Sequence, residues 1–205
     1  MKRLLSAITW PRRIRHPQSG SVFQADSLVL QLAHRKDIMI IGLISDTHDK
    51  AGPFLSAVNI LKERKVDAIA HCGDFETKQC PEQLEHLDIP VYAVAGNTDA
   101  RYVDDLIASA RAAGVNMERE KNVIPLSNGL FLAMTHEHDR KMLGDLIADA
   151  RYPYVCHGHT HRLRDEMIGN TRVICPGGLG SYTGSTPTIA ILDTETDNLE
   201  IININ

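Results

Sequence analysis

From residue 38 the chain alternates two hydrophobic periods. Ile38 to Ser45 is almost continuously apolar, the pattern of a strand buried on both faces. Phe54, Leu55, Val58, Leu61 and Lys62 follow at helical spacing. Asp67 to Cys72 and Pro90 to Ala95 predict two further strands. Val103, Leu106, Ile107 and Ala110 predict a helix that Gly114 ends. A βαβαβα order implies a parallel sheet. The second half changes character. Val123 to Leu126 and Leu130 to Thr135 flank Ser127-Asn128-Gly129, a hairpin signal. A helix is expected at about Lys141 to Ala150, then a short strand over Tyr154 to His157. Leu163 to Ile168 and Thr171 to Cys175 flank Gly169-Asn170, a second hairpin, and Thr188 to Asp193 and Leu199 to Ile204 close the chain as strands. Parallel units followed by antiparallel ones predict two sheets packed face to face with helices outside.

The first part of the chain does not share this pattern. Residues 1–37 contain Pro11, Pro17 and clustered Arg without a clear period. They read as an extension that is disordered or a start-site artefact, with translation beginning at Met39, and the domain is expected over 38–205. An Arg-rich, acid-poor start also fits an organelle transit peptide. Charge divides the same way: residues 1–38 are net +5, while 39–205 carry 15 basic and 24 acidic residues, net −9. An acidic domain lacks the basic track of a nucleic-acid binder. No apolar run approaches the ~20 residues of a membrane span. Four cysteines, at 72, 80, 156 and 175, include no C-x-x-C pair and read as buried reduced thiols of a cytoplasmic protein.

The polar exceptions concentrate at strand ends. Asp46-Thr47-His48 follows the first strand, Gly73-Asp74 the second and Gly96-Asn97-Thr98-Asp99 the third. His136 closes the strand that begins at Leu130, and Gly158-His159-Thr160-His161 follows the strand ending at His157. In open α/β sheets the carboxyl ends of strands line the ligand crevice. Singly, each signal reads as a turn former, a helix cap or a structural histidine. Jointly they place ligand chemistry after five strands in turn. Asp46, His48, Asp74, Asn97, His136, His159 and His161 form a nitrogen/oxygen set without thiolate, which suits Mn²⁺, Fe²⁺ or Zn²⁺. Seven ligands exceed one tetrahedral zinc and suit two ions sharing a carboxylate.

The ordered set D-x-H, G-D, G-N-x-D, a lone H and G-H-x-H resembles the calcineurin-like metallophosphoesterases, in particular their small single-domain bacterial and archaeal phosphodiesterase branch. The resemblance implies an α/β (α+β mixed) fold, a four-layer αββα sandwich of two mixed sheets flanked by helices. It implies one metal held by Asp46, His48 and His161, another by Asn97, His136 and His159, and Asp74 bridging them. Mn²⁺ is expected first, with Zn²⁺, Fe²⁺ or Ni²⁺ as alternatives. It also implies in-line attack on a phosphate ester by a metal-bridging hydroxide, with Asp74, Asn97 and His136 acting through it. The expected activity is phosphodiester hydrolysis on small esters. A phosphomonoesterase and a non-catalytic interaction scaffold, the role this fold has in the retromer coat, are the alternatives.

Three positions depart from the wider family. Thr98 stands where many members have a histidine thought to assist the leaving group. His136-Glu137-His138 replaces H-G-H, which makes His138 a candidate proton donor. Cys175-Pro176-Gly177-Gly178 replaces Asn-Pro-Gly-Ser and lacks the Arg that often follows. His71 reads as a group behind the ligands, and the Gly- and Ser-rich stretch from Gly177 to Ser185 as a candidate border of the site.

Overall fold

The computed structural model describes residues 39–180 and 186–204; the expected extension over 1–37 lies outside them. Among the described residues the strands are β1 (Ile40–Ile44), β2 (Ala68–His71), β3 (Val91–Val94), β4 (Asn116–Glu118), β5 (Lys121–Pro125), β6 (Phe131–Thr135), β7 (Tyr154–Cys156), β8 (Leu163–Ile168), β9 (Thr171–Pro176), β10 (Thr188–Asp193) and β11 (Asn198–Asn203). They form two sheets, ordered β11-β10-β1-β2-β3-β4 and β5-β6-β7-β9-β8. In the first sheet β1 to β4 run parallel, and β10 and β11 add antiparallel strands at one side. The second sheet pairs β5 with β6 and β8 with β9 antiparallel around a parallel β6-β7-β9 centre. The fold is therefore the four-layer mixed α/β sandwich.

Side-chain alternation explains the layers. Ile41 and Leu43 of β1 and Ala68, Ala70 and Cys72 around β2 point between the sheets. They meet Ile124, Leu132, Met134, Cys156 and Ile174 of the second sheet. The other face of the first sheet presents Ile44, Ile69 and Ala93 to helices α1 (Ala51–Glu63) and α3 (Val103–Ala112). Phe54, Val58 and Leu61 come from α1, and Leu106 and Ala110 from α3. Helix α4 (Arg140–Ala148) covers the outside of the second sheet through Leu143 and Leu146 against Ala133 and Val155. Its N-terminus is capped by Asp139, whose side chain accepts from Met142 N–H. Burial on both faces is what makes β1 read as one apolar run.

Three short elements escape the periodicity: β4, helix α2 (Gln79–Glu82) and a 3-10 turn (Thr98–Tyr102). Each is too short to show a period. Met117 is the sole buried position of β4, and pairing with β3 decides that this segment is a strand.

Gly42 sits where α1 crosses β1. A Cβ there would lie 2.6 Å from Leu61 Cδ1, a side chain with no exposed surface. Gly42→Val is expected to destabilise the protein by about 1–3 kcal/mol through overpacking. Urea unfolding would measure this, and adding Leu61→Ala should return part of the loss.

Candidate metal centre

Five strands deliver their side chains to one end of the sandwich. Asp46 and His48 follow β1, Asp74 follows β2, Asn97 follows β3, His136 follows β6, and His159 and His161 follow β7. Asp46, His48, Asp74, His159 and His161 all adopt left-handed backbone, with φ between 47 and 73°. For non-glycine residues this costs about 1 kcal/mol or more each. A cross-loop ladder offsets it. The N–H groups of Asp46, His48 and Asp49 donate to the carbonyls of Gly73, Asp74 and Phe75 at 2.9, 3.0 and 3.0 Å. Leu179 N–H donates to Ser45 O at 3.0 Å and Gly180 N–H to Asp46 O at 2.7 Å. The start of the Gly-rich stretch thus borders the site, while residues 181–185 lie outside the described ones. Close approach also dictates glycine: a Cβ on Gly96 would fall 2.0 Å from Asp74 Oδ1.

The side chains converge in two groups. Asp46, His48 and His161 form one, and Asp74, His136 and His159 the other, with ligand atoms in each within 4.8 Å of one another. His48 Nε2 lies 3.0 Å from His161 Nε2, and His161 Nε2 lies 3.4 Å from Asp46 Oδ1. Asp74 Oδ2 faces both groups, 3.1 Å from His136 Nε2 and 3.7 Å from His48 Nε2.

Partners behind the rings fix their tautomers. His136 Nδ1 is 2.6 Å from the Cys72 carbonyl, which can only accept, so Nδ1 carries the proton. Its Nε2 then presents a lone pair in a fully buried position and has no hydrogen-bond partner. His48 Nδ1 is likewise 2.7 Å from Glu76 Oε1, which leaves the Nε2 lone pair turned to the carboxylates. Acceptors facing acceptors at these distances repel unless positive charge lies among them. The titration of the groups reflects the same demand. Burial works against a charged His136, yet Asp74 and Asp46 outweigh it and raise its pKa. Burial likewise opposes ionisation of Asp74, but His136 and the Thr98 N–H, donating at 3.0 Å, hold it well below the usual carboxylate range. The donor set, buried at Asp46, His48, Asp74 and His136 and open to solvent at His159, is nitrogen- and oxygen-only and short of positive charge, and so fits divalent cations.

Residues 39–197 match the family model of the calcineurin-like phosphoesterase superfamily domain. The chain belongs to that superfamily. These are metal-dependent hydrolases of phosphate esters, and this calcineurin-like phosphoesterase is a hydrolase of that kind. A phosphodiesterase from Methanocaldococcus jannaschii is 32% identical over 168 residues, spanning 77% of this chain and 94% of the relative. The solved structure of a novel archaeal phosphodiesterase superposes with a TM-score of 0.73 at 30% identity, over 80% of this chain and 99% of that one. A phosphoesterase from E. coli shares the fold at a TM-score of 0.58 and 18% identity, covering 82% and 100% of the two chains.

The remaining positions differ in placement. Asn97 is exposed and precedes the 3-10 turn without capping it, so its side-chain oxygen is not spent locally. His138 is exposed and belongs to neither group, its ring centroid 5.7 Å from that of His136. Sequence reasoning did not assign three supports. Glu76 orients His48. Asp99, fully buried, accepts from the N–H groups of Phe75, Glu76 and Gly96 at 3.2, 2.8 and 2.9 Å and so joins two ligand loops. Burial raises its pKa, and those three donors oppose the rise. His157, also buried, sits with Nδ1 2.8 Å from Glu137 Oε2 and links the His136 and His159 loops. A Gly-Asn-x-Asp signature signals Asp99; nothing local signals the other two.

His71 lies behind the ligands, as its position in β2 predicts. Gly73 N–H donates to its Nδ1 at 3.2 Å, so Nε2–H donates to Thr47 Oγ1 at 2.7 Å. The ring stacks on Phe75 at 3.7 Å. Burial, then the neighbouring His136, lowers its pKa to about 3. A histidine unfolds to a pKa of about 6.5. Between these values the unfolded chain binds the extra proton. Stability from this group is therefore complete above pH ~6.5 and is lost as the pH falls towards ~3. In chelator, His71→Gln should show a shallower decline of unfolding free energy over that window than the wild type. Denaturant titrations at stepped pH would show it.

Proposed function

We propose that this chain is a phosphodiesterase that works with two divalent cations, one held by Asp46, His48 and His161 and the other by Asn97, His136 and His159, with Asp74 shared. The observation that carries this reading is the facing of buried lone pairs and carboxylates in two adjoining groups. The likeness to the family puts Mn²⁺ first, and the mixed nitrogen/oxygen set also accommodates Zn²⁺, Fe²⁺ or Ni²⁺. When bound, such a pair supplies Lewis acidity towards the phosphate oxygens and an acidified water for in-line attack. The protein's own part is orientation. Glu76 and the Cys72 carbonyl aim the lone pairs of His48 and His136, and the Thr98 N–H keeps Asp74 ionised and in place. Asn97 contributes a neutral oxygen, so the set gains a ligand without repelling an anionic ester.

A diester is favoured over a monoester because Thr98 stands where a proton-donating histidine would serve poorer leaving groups. The relatedness to the M. jannaschii phosphodiesterase supports the same choice. His138, exposed at the rim, is the candidate to protonate the departing alcohol. All four cysteines are free and buried, which agrees with a reducing, cytoplasmic setting. The substrate is read as a small ester and not as nucleic acid, since the domain is acidic.

The test uses chelator-stripped protein with bis(4-nitrophenyl) phosphate and 4-nitrophenyl phosphate, adding Mn²⁺, Zn²⁺, Ni²⁺, Fe²⁺ or Mg²⁺ in turn. Diester turnover should return, highest with Mn²⁺, at two ions per chain by elemental analysis. Asp74→Asn should lower turnover by at least about 100-fold and reduce ion content. Two bound ions with no turnover of either ester, or wild-type rates in Asp74→Asn, would overturn the reading.

A further inference from the structure

Beside the two ligand groups lies an open groove of about 630 Å³, lined by Glu76, Asn97, Thr98, Ala100, Arg101 and Tyr102. It begins at the site itself. Glu76 is the residue that orients His48, and Thr98 is the residue whose N–H binds Asp74. A groove of this size takes a small-molecule fragment, not a single phosphate oxygen.

The 3-10 turn sets what the groove offers. In such a turn residues three apart eclipse, so Arg101 stands on the same face as Thr98. The rise places it about 6 Å farther along the axis from the Asp74 contact. Arg101 is exposed, and no hydrogen bond or ion pair engages its guanidinium among the described residues. It is the sole cation of the lining. Its surroundings are otherwise acidic: burial, then Asp99, Glu76, Asp74 and Asp49, pushes Tyr102 up to about 12. An unpaired arginine in an acidic setting, one turn from a phosphate-ester site, offers a forked donor to a second anion.

We infer that the groove receives the leaving half of the substrate, and that Arg101 selects esters whose leaving alcohol itself carries a carboxylate or phosphate. The inference rests on the phosphodiesterase reading and adds the class of alcohol. Arg101 acts in substrate binding, away from the reacting atoms. Its effect therefore falls on KM and not on the leaving-group dependence of kcat.

The experiment compares phenyl 4-nitrophenyl phosphate with phenyl 3-carboxy-4-nitrophenyl phosphate on the metal-loaded full chain. Calorimetric binding of the corresponding phenols, 4-nitrophenol and 5-hydroxy-2-nitrobenzoate, is measured alongside. Wild type should show a KM about 10-fold lower for the carboxylated ester, in line with one charge-assisted contact. In Arg101→Ala that ratio should fall to about 1, and Arg101→Lys should keep part of it. Equal KM values in the wild type, or a ratio that survives Arg101→Ala, would overturn the inference. If neither ester turns over, the phosphodiesterase reading falls, and the phenols decide the groove separately. A preference of about 10-fold for the carboxylated phenol that disappears in Arg101→Ala sustains it, and equal affinities defeat it.

Discussion

Two buried carboxylates, Asp46 and Asp74, face the imidazoles of His48 and His136, whose other ring nitrogens are already committed to acceptors. This is the constraint to which the rest of the structure answers. With His136 Nδ1 held by the Cys72 carbonyl and His48 Nδ1 by Glu76, the inward nitrogens cannot be donors without becoming charged. A buried group of that composition is costly unless cations complete it. The site is therefore a poor contributor to fold stability, and its composition suits a metal. The hydrophobic layers on either side of the first sheet have to stabilise the fold without it.

The surrounding chain shows the consequences. Left-handed backbone recurs at five of the candidate positions, and the ladder between the β1 and β2 loops fixes those of Asp46, His48 and Asp74. Glycine is required where two loops touch. Beyond Gly96, a Cβ on Gly158 would meet Ser45 Oγ at 2.0 Å and the Cys72 carbonyl at 2.7 Å. Asp99 and His71 act as ties between neighbouring loops, one through three backbone donors and the other through Thr47 and Gly73. Loops that would be mobile on their own are thus fixed by polar contacts that are themselves buried.

The division between what the sequence reveals and what it withholds follows from range. The strands from Ile40 to Val94 were legible because burial on both faces writes a run of apolar residues into the chain, and the six Asp and His residues that the fold gathers into two groups because each follows such a run. β4 was not, since three residues carry no period and its pairing with β3 is a tertiary fact. The same holds for Glu76. An exposed-looking glutamate two residues after Asp74 has no local mark, and only the fold brings it to His48, 28 positions away in sequence. The tautomer of His136 depends on a backbone carbonyl of another segment, which no side-chain pattern encodes. Arg101 illustrates the remaining case. Its residue type was visible, but its meaning depends on a 3-10 turn that puts it on the face of Thr98.

Electrostatics connects these elements to substrate choice. The region from residue 39 onward is net −9, so an anionic ester meets a repulsive field over most of the surface. With two carboxylates against two divalent ions, the proposed cluster is locally positive, and it draws the scissile phosphate past that field. A neutral ligand at Asn97 preserves this excess, where an aspartate would reduce it. The cluster does not, however, discriminate among esters, because every one presents the same phosphate. Discrimination has to come from charge placed beyond the phosphorus, on a wall the rest of the substrate touches. In an acidic domain one unpaired guanidinium is enough to mark that wall, since its neighbours repel the anion it attracts.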